Sequence, residues 1–160
     1  MKKFLSIVAI LLLIVLLAGC FPDKGPQNTP GAGTEHFEDY GLPVITVYLS
    51  KVTIKEGGLY ISMKEVGAYL YLYHKLPDNF ATKSVFDRDN VTAKNKLSTG
   101  GDVFYNREGL LPANKSYREC DIDYQGGSRN AKRIVFSVTD WTIFYTDDHY
   151  ESFSILRFLP

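Results

Sequence analysis

From Ser116 to Leu156 the chain switches to a period of two, and this switch limits its fold more than any other feature. In Ser116 to Tyr124, Cys120 and Ile122 fall on one face, and Tyr117, Glu119 and Asp121 on the other. Ala131 to Ser137 repeats the pattern. A turn at Val138-Thr139-Asp140 follows, then short runs at Trp141 to Thr146 and Ser152 to Leu156. Successive strand residues point to opposite faces, so these runs, separated by short turns, predict an antiparallel sheet. One face of that sheet needs cover. Ser62-Met63-Lys64-Glu65 has the form of a capping box, and Val66, Tyr69, Leu70 and Tyr73 then recur at helical spacing. The helix is expected to end near His74, before Leu76-Pro77. The expected fold class is α+β, an N-terminal helix packed on a C-terminal antiparallel β-sheet.

The start of the chain is of another kind. Lys2 and Lys3 precede an apolar run from Phe4 to Leu16, too short to span a bilayer comfortably. The run closes on Leu17-Ala18-Gly19-Cys20, which resembles a bacterial lipobox. Residues 1–19 are therefore expected to be a lipoprotein signal peptide, with Cys20 the lipidation site. Residues 20–43 hold Pro22, Pro26, Pro30 and Pro43 among glycines and read as a flexible tether. Residues 44–61 read as an extended lead-in or a hairpin, and residues 62–160 as the folded domain. These features imply export, either held at the outer face of a bacterial membrane by lipid alone or released extracellularly. With Cys20 committed to lipid, Cys120 has no disulfide partner and is expected as a small buried side chain.

Charge excludes a globally basic nucleic-acid binder. Lys+Arg and Asp+Glu are 18 each, and residues 44–160 carry 15 against 14. Attraction for a polyanion has to come from local clusters, with Lys83, Arg107, Arg129, Lys132 and Arg133 available.

The chemistry-bearing residues fall in the same half as the strands. Glu119 sits mid-strand on the face opposite Cys120, His149 lies in a loop after a strand, and Arg129 and Arg133 flank a strand entry. A carboxylate and an imidazole can exchange two protons while guanidinium forks hold a phosphate. Taken singly, each has a plainer reading: a strand carboxylate paired with an arginine, a solvated loop histidine, a basic edge. The 3 histidines are dispersed and lack a cysteine pair, so no metal-ligand pattern is present in the sequence.

Short motifs in one order narrow these readings. They are Tyr73-His74-Lys75-Leu76-Pro77-Asp78-Asn79-Phe80, Thr82-Lys83-Ser84, the stretch Gly100 to Gly109, Tyr117-Arg118-Glu119-Cys120-Asp121-Ile122, Arg129 with Arg133, and Asp148-His149-Tyr150. Together, from roughly Ser62 to Arg157, they resemble the barnase-type, guanyl-preferring bacterial ribonucleases of the microbial ribonuclease family. The resemblance implies an endoribonuclease that cuts single-stranded RNA 3′ to guanosine through a 2′,3′-cyclic phosphate, with no cofactor. Glu119 then corresponds to the general base, His149 to the general acid, and Arg129, Arg133 and Lys83 to the phosphate-holding cations. Asn106 and Arg107 supply amides to guanine, Glu108 accepts from it, and Tyr150 stacks on a base. Asp102 and Asp121 resemble carboxylates that orient these groups. Tyr105 departs from the family, where serine is usual. The interval from Lys83 to Gly100 is also shorter than in the family, so one helix there is expected to shrink to a turn. The resemblance further implies a monomer and a barstar-like acidic inhibitor. The competing reading is a lipoprotein of the same fold that binds RNA or protein without cutting. Retention of all the central site residues favours the enzyme.

Overall fold

The computed structural model describes residues 37–85, 98–124 and 128–160. The expected signal peptide, Cys20, most of the tether and residues 86–97, where the shortened helix is expected, lie outside these residues. Residues 37–160 form one compact unit.

Among the described residues its frame is a seven-stranded sheet over one long helix. The strands are β1 (Val44–Tyr48), β2 (Phe80–Ala81), β3 (Ser98–Phe104), β4 (Tyr117–Asp121), β5 (Arg133–Ser137), β6 (Ile143–Thr146) and β7 (Ser154–Leu159), and the helix is α1 (Met63–Tyr73). Their order across the sheet is β1-β7-β6-β5-β4-β3-β2. From β3 to β7 each strand pairs antiparallel with the next, as the alternation predicts. The two edges correct that expectation. β1 runs parallel to β7 and β2 parallel to β3, so the sheet is mixed. Parallel neighbours cannot be joined by a tight turn, so their pairing leaves no local signal in the sequence. The stretch 44–61 accordingly supplies an edge strand, followed by a 3-10 turn at Leu49–Lys51.

Helix α1 begins as its sequence predicts. Glu65 N–H donates to Ser62 Oγ at 3.4 Å, and that hydroxyl donates to Glu65 Oε2 at 2.6 Å. The helix ends at His74, which takes a left-handed conformation (φ 54) while its N–H donates to Leu70 O. The His74 ring stacks on Trp141 with centroids 4.7 Å apart. Val66 and Leu70 of α1 meet Cys120, Ile122, Ile134, Phe136, Ile143 and Leu156 of the sheet in the main core. Gly67 allows that approach: a Cβ there would lie 2.9 Å from Leu156 Cδ1. Cys120 sits buried in this core, and burial raises its thiol pKa.

The opposite face is not left wholly open. A second apolar cluster of Leu111, Tyr117, Val135, Phe144, Phe153 and Ile155 covers part of it. Phe37, Tyr40 and Leu42 pack against this cluster, so the last residues of the expected tether belong to the folded unit. Lys115 fastens them: its Nζ donates to Tyr40 OH at 2.6 Å, to Thr142 Oγ1 at 3.2 Å, and to Asp140. Burial alone would raise the Asp140 pKa, but bonds from Lys115, Ser137 and Thr142 outweigh it and bring the carboxyl to about 2.

Candidate active site

The site is assembled on β4 and the two loops beside it. Glu119 and Asp121 are two apart on β4, so their side chains share a face. Glu119 is opposite Asp102 on β3 and Val135 on β5. A bulge at Gly101 (φ +96) lies between the Gly100–Cys120 and Asp102–Glu119 pairs. It shifts Asp102 by one register step, and the left-handed backbone it needs suits glycine.

Glu119 is only 8% exposed, and both its oxygens are engaged. Lys83 Nζ donates to Oε1 at 2.7 Å, and Tyr150 OH donates to Oε2 at 2.5 Å. Lys83 is held in turn, because its backbone N–H donates to Asp102 Oδ2 at 2.9 Å. The bulge thus places Asp102 at the start of the helical turn that carries Lys83. The Tyr150 hydroxyl pKa is raised, first by burial and then by its bond to the Glu119 carboxylate.

Asp121 does the corresponding work for the arginines. Its Oδ2 and Oδ1 accept from Arg129 Nε at 2.7 Å and Nη2 at 2.6 Å. Arg133 Nε stands 3.0 Å from Oδ1 as an ion pair without good hydrogen-bond alignment. Arg129 stays partly exposed and its pKa is raised, chiefly by the bond to Asp121. Arg133 is no solvated edge: it is 2% exposed, and its Nη1 donates to the carbonyls of Asn130 and Lys132. Lys132, by contrast, turns outward to Asp123.

The His149 loop is held in an unusual shape. His149 (φ 61) and Tyr150 (φ 76) are consecutive left-handed residues with full side chains. Such a conformation persists only where the surroundings fix it. Asp148 does much of this, accepting from Thr146 Oγ1 at 2.6 Å, Ser152 Oγ at 2.5 Å and Ser152 N–H at 3.0 Å. Tyr150 N–H donates to Thr146 Oγ1 at 3.1 Å, and His149 N–H to Ala131 O at 3.2 Å. The bonds from Ser152 and Thr146 lower the Asp148 pKa from 3.8 to about 2. A lowered carboxyl pKa stabilises the fold above the unfolded value, and that contribution disappears as pH falls from about 4 through about 2. The Tm gap between the parent chain and Asp148→Asn is therefore expected to narrow across that interval. A gap constant with pH would remove Asp148 as an ionised brace.

The loop after β3 closes the other wall. Asn106 (φ 47) ties it: its Nδ2 donates to Leu111 O at 2.7 Å, and its Oδ1 accepts from Leu111 N–H at 3.0 Å. Gly109 (φ 67) completes the turn, donating its N–H to Asn106 O at 3.0 Å. With its side chain committed to the loop, Asn106 offers a ligand only its backbone. Arg107 and Glu108 project outward.

These walls bound a cleft of about 640 Å³ lined by Val103, Phe104, Tyr105, Asn106, Arg107, Glu108, Leu110, Glu119, His149, Tyr150 and Glu151. A partly buried carboxylate, an exposed imidazole and the loop carboxylate of Glu108 thus open on one space. Lys83 reaches the site through Glu119, and Arg129 and Arg133 through Asp121, without lining that cleft. Sequence reasoning missed Val103, Phe104, Leu110 and Glu151 as lining residues, and Asn130 as a support for Arg133. The position of Glu151 beside His149-Tyr150 was the one available hint.

A family model described as ribonuclease matches residues 65–157, the stretch that carries most of α1, the strands β2 to β6 and every residue of the cleft. This chain belongs to the ribonuclease family. Its relatives extend the match. The ribonuclease of Bacillus intermedius is 36% identical over 169 aligned residues, covering 98% of this chain and all of the relative. The ribonuclease of Heyndrickxia coagulans is 47% identical over 102 residues, covering 58% of this chain and 93% of the relative. The guanyl-specific ribonuclease Sa3 of Kitasatospora aureofaciens is 42% identical over 64 residues, 38% of this chain and 45% of the relative. As a ribonuclease, the chain has RNA as its substrate, and a carboxylate and an imidazole, Glu119 and His149, line the described cleft.

Proposed function

We propose that this ribonuclease is a metal-independent endonuclease that cuts single-stranded RNA 3′ to guanosine. The observation that carries the reading is the shared cleft, where Glu119 and His149 open on the same space as the Asn106–Glu108 loop. The ionised Glu119 carboxylate accepts the 2′-hydroxyl proton. Lys83 and Tyr150 occupy two of its acceptor positions, and a carboxylate has about four. The freed 2′-oxygen attacks the phosphorus, the bond to the 5′-oxygen breaks, and protonated His149 gives that oxygen its proton. Partly exposed Arg129 and Lys83 answer the charge growing on the phosphoryl oxygens, and Arg133, buried against Asp121, adds its charge from behind. The product is a 2′,3′-cyclic phosphate, which water opens with the two roles reversed.

Guanine offers an adjacent pair of N–H donors beside a carbonyl acceptor. Glu108 suits the donors, and the backbone amides of Asn106 and Arg107 suit the acceptor. Adenine would leave the carboxylate unpaired, and an unpaired polar group is strongly disfavoured. The names of two relatives, the guanyl-specific ribonucleases Sa3 and St, agree with this preference. Digestion of a defined oligonucleotide in EDTA tests the whole reading. The expected products end in guanosine cyclic phosphate; intact RNA, or cuts indifferent to the base, would reject it.

The protein is further proposed to act as a monomer outside the cell, carried there by residues 1–19 and held through lipid on Cys20. Retention of Cys20→Ser in the membrane fraction would count against that anchor. The cations gathered around Glu119 and Asp121, Lys83, Arg129 and Arg133, also suit a barstar-like acidic inhibitor, whose carboxylates would stand where the phosphates bind; lack of inhibition by such a protein would remove that partner.

A further inference from the structure

The catalytic cleft does not end at the base-reading loop. A second cleft of about 460 Å³ shares its wall of Val103, Phe104, Tyr105 and Asn106 and continues along Gly109, Ala113, Lys115, Ser116, Arg118 and Val138. The most exposed ring on that shared wall is Tyr105, 73% exposed. An aromatic ring so exposed gains little from the fold. It is nonetheless held in place, with the Arg107 guanidinium carbon 5.5 Å from its centroid. Arginine stacking orders the ring while leaving most of it open to solvent.

The chemistry of the second cleft suits a nucleotide. Lys115 is committed to Asp140, Tyr40 and Thr142, but the Arg118 side chain is exposed and is positioned through Nη1 on Gly101 O at 2.5 Å. A stackable ring and a positioned guanidinium are what a groove needs to hold single-stranded RNA without reading its sequence. We propose that Tyr105 stacks the nucleobase on the 5′ side of the cleaved guanosine and that the second cleft, with Arg118, receives that nucleotide. The proposal rests on the guanosine reading above. The 3′ phosphate of that guanosine is held at Glu119 and His149, so the 5′ chain leaves on the side away from them, past Tyr105.

The test compares cleavage of the dinucleotide GpU with that of ApGpU, and with the same trinucleotide lacking its 5′ base. Stacking on an aromatic ring is worth about 1–3 kcal/mol per base, so the 5′ adenosine is expected to raise kcat/KM by about fivefold or more. The ratio of ApGpU to GpU should fall towards one in Tyr105→Ser and be retained in Tyr105→Phe. A parent ratio near one overturns the proposal, as does a ratio unchanged in Tyr105→Ser. Full gain from the trinucleotide without its 5′ base also overturns it, because that gain would belong to the phosphate. If neither GpU nor ApGpU is cut, the guanosine reading itself fails and takes this one with it.

Discussion

Glu119→Gln is expected to lower kcat/KM by about 10²–10⁴-fold, the usual worth of a positioned general base, while the chain stays folded. Glutamine is the informative substitute because of what surrounds the residue. Its carbonyl can still accept from Tyr150, whose hydroxyl lies 2.5 Å from Glu119 Oε2 in a half-buried setting. Alanine would instead strand that hydroxyl and mix a packing effect into the kinetics. Lys83 loses its ion pair, but its side chain is 48% exposed and can turn to water, so the stability change should stay below about 1 kcal/mol. Hydrolysis of a guanosine 2′,3′-cyclic phosphate should fall as well, because the same carboxylate protonates the departing 2′-oxygen on the return step. A loss of less than tenfold in both reactions would take the base role from Glu119.

Asp121→Ala should damage both stability and activity. The carboxylate is 2% exposed and binds two guanidiniums at once, and one of them, Arg133, is itself 2% exposed. Removing one partner of a buried ion pair typically costs about 3–5 kcal/mol, because the other charge stays buried without compensation. For a domain of this size that corresponds to a fall in Tm of roughly 10–25 °C. Below the new Tm, kcat/KM should still fall at least about tenfold, since neither guanidinium keeps its aim at the phosphate. Asp121→Asn keeps an acceptor but removes the charge, and should lie between parent and alanine in both measurements. A Tm within about 2 °C of the parent would show that Arg133 finds another anion and that Asp121 is not its anchor.

The parts of this molecule that were legible in the sequence are those whose causes are local. Ser62 and Glu65 announce the helix start because a capping hydroxyl must sit three residues before its amide. Cys120 and Ile122 announce β4 because a strand with one face on the helix must alternate. Glu119 followed directly, since a charged residue in that register faces away from the core. What stayed hidden depends on chain segments distant in sequence. The parallel pairing of β1 with β7 joins the two ends of the folded unit and leaves no periodic trace. The second apolar cluster draws on Phe37, Tyr40 and Leu42 as well as Phe153, and no short window contains both. Arg133 reads as a surface cation because its burial depends on Asp121 and on two carbonyls of the preceding loop. Lys83 opens the shortened interval, and what fixes its backbone is Asp102 on distant β3.

The edge strand β1 reaches the helix through the turn Lys55–Gly58, exposed at Lys55, Glu56 and Gly57, whose Gly58 N–H donates to Lys55 O at 3.1 Å. A single cut at that turn would convert the strand into a separate peptide held by its ladder with β7, by buried Val47 and by Phe37, Tyr40 and Leu42 on the second apolar cluster, as in strand-addition complexes. Such a nicked enzyme would travel as one particle in native buffer and yield two bands under denaturing conditions. Its cohesion would then depend on dilution, which the uncut chain never experiences.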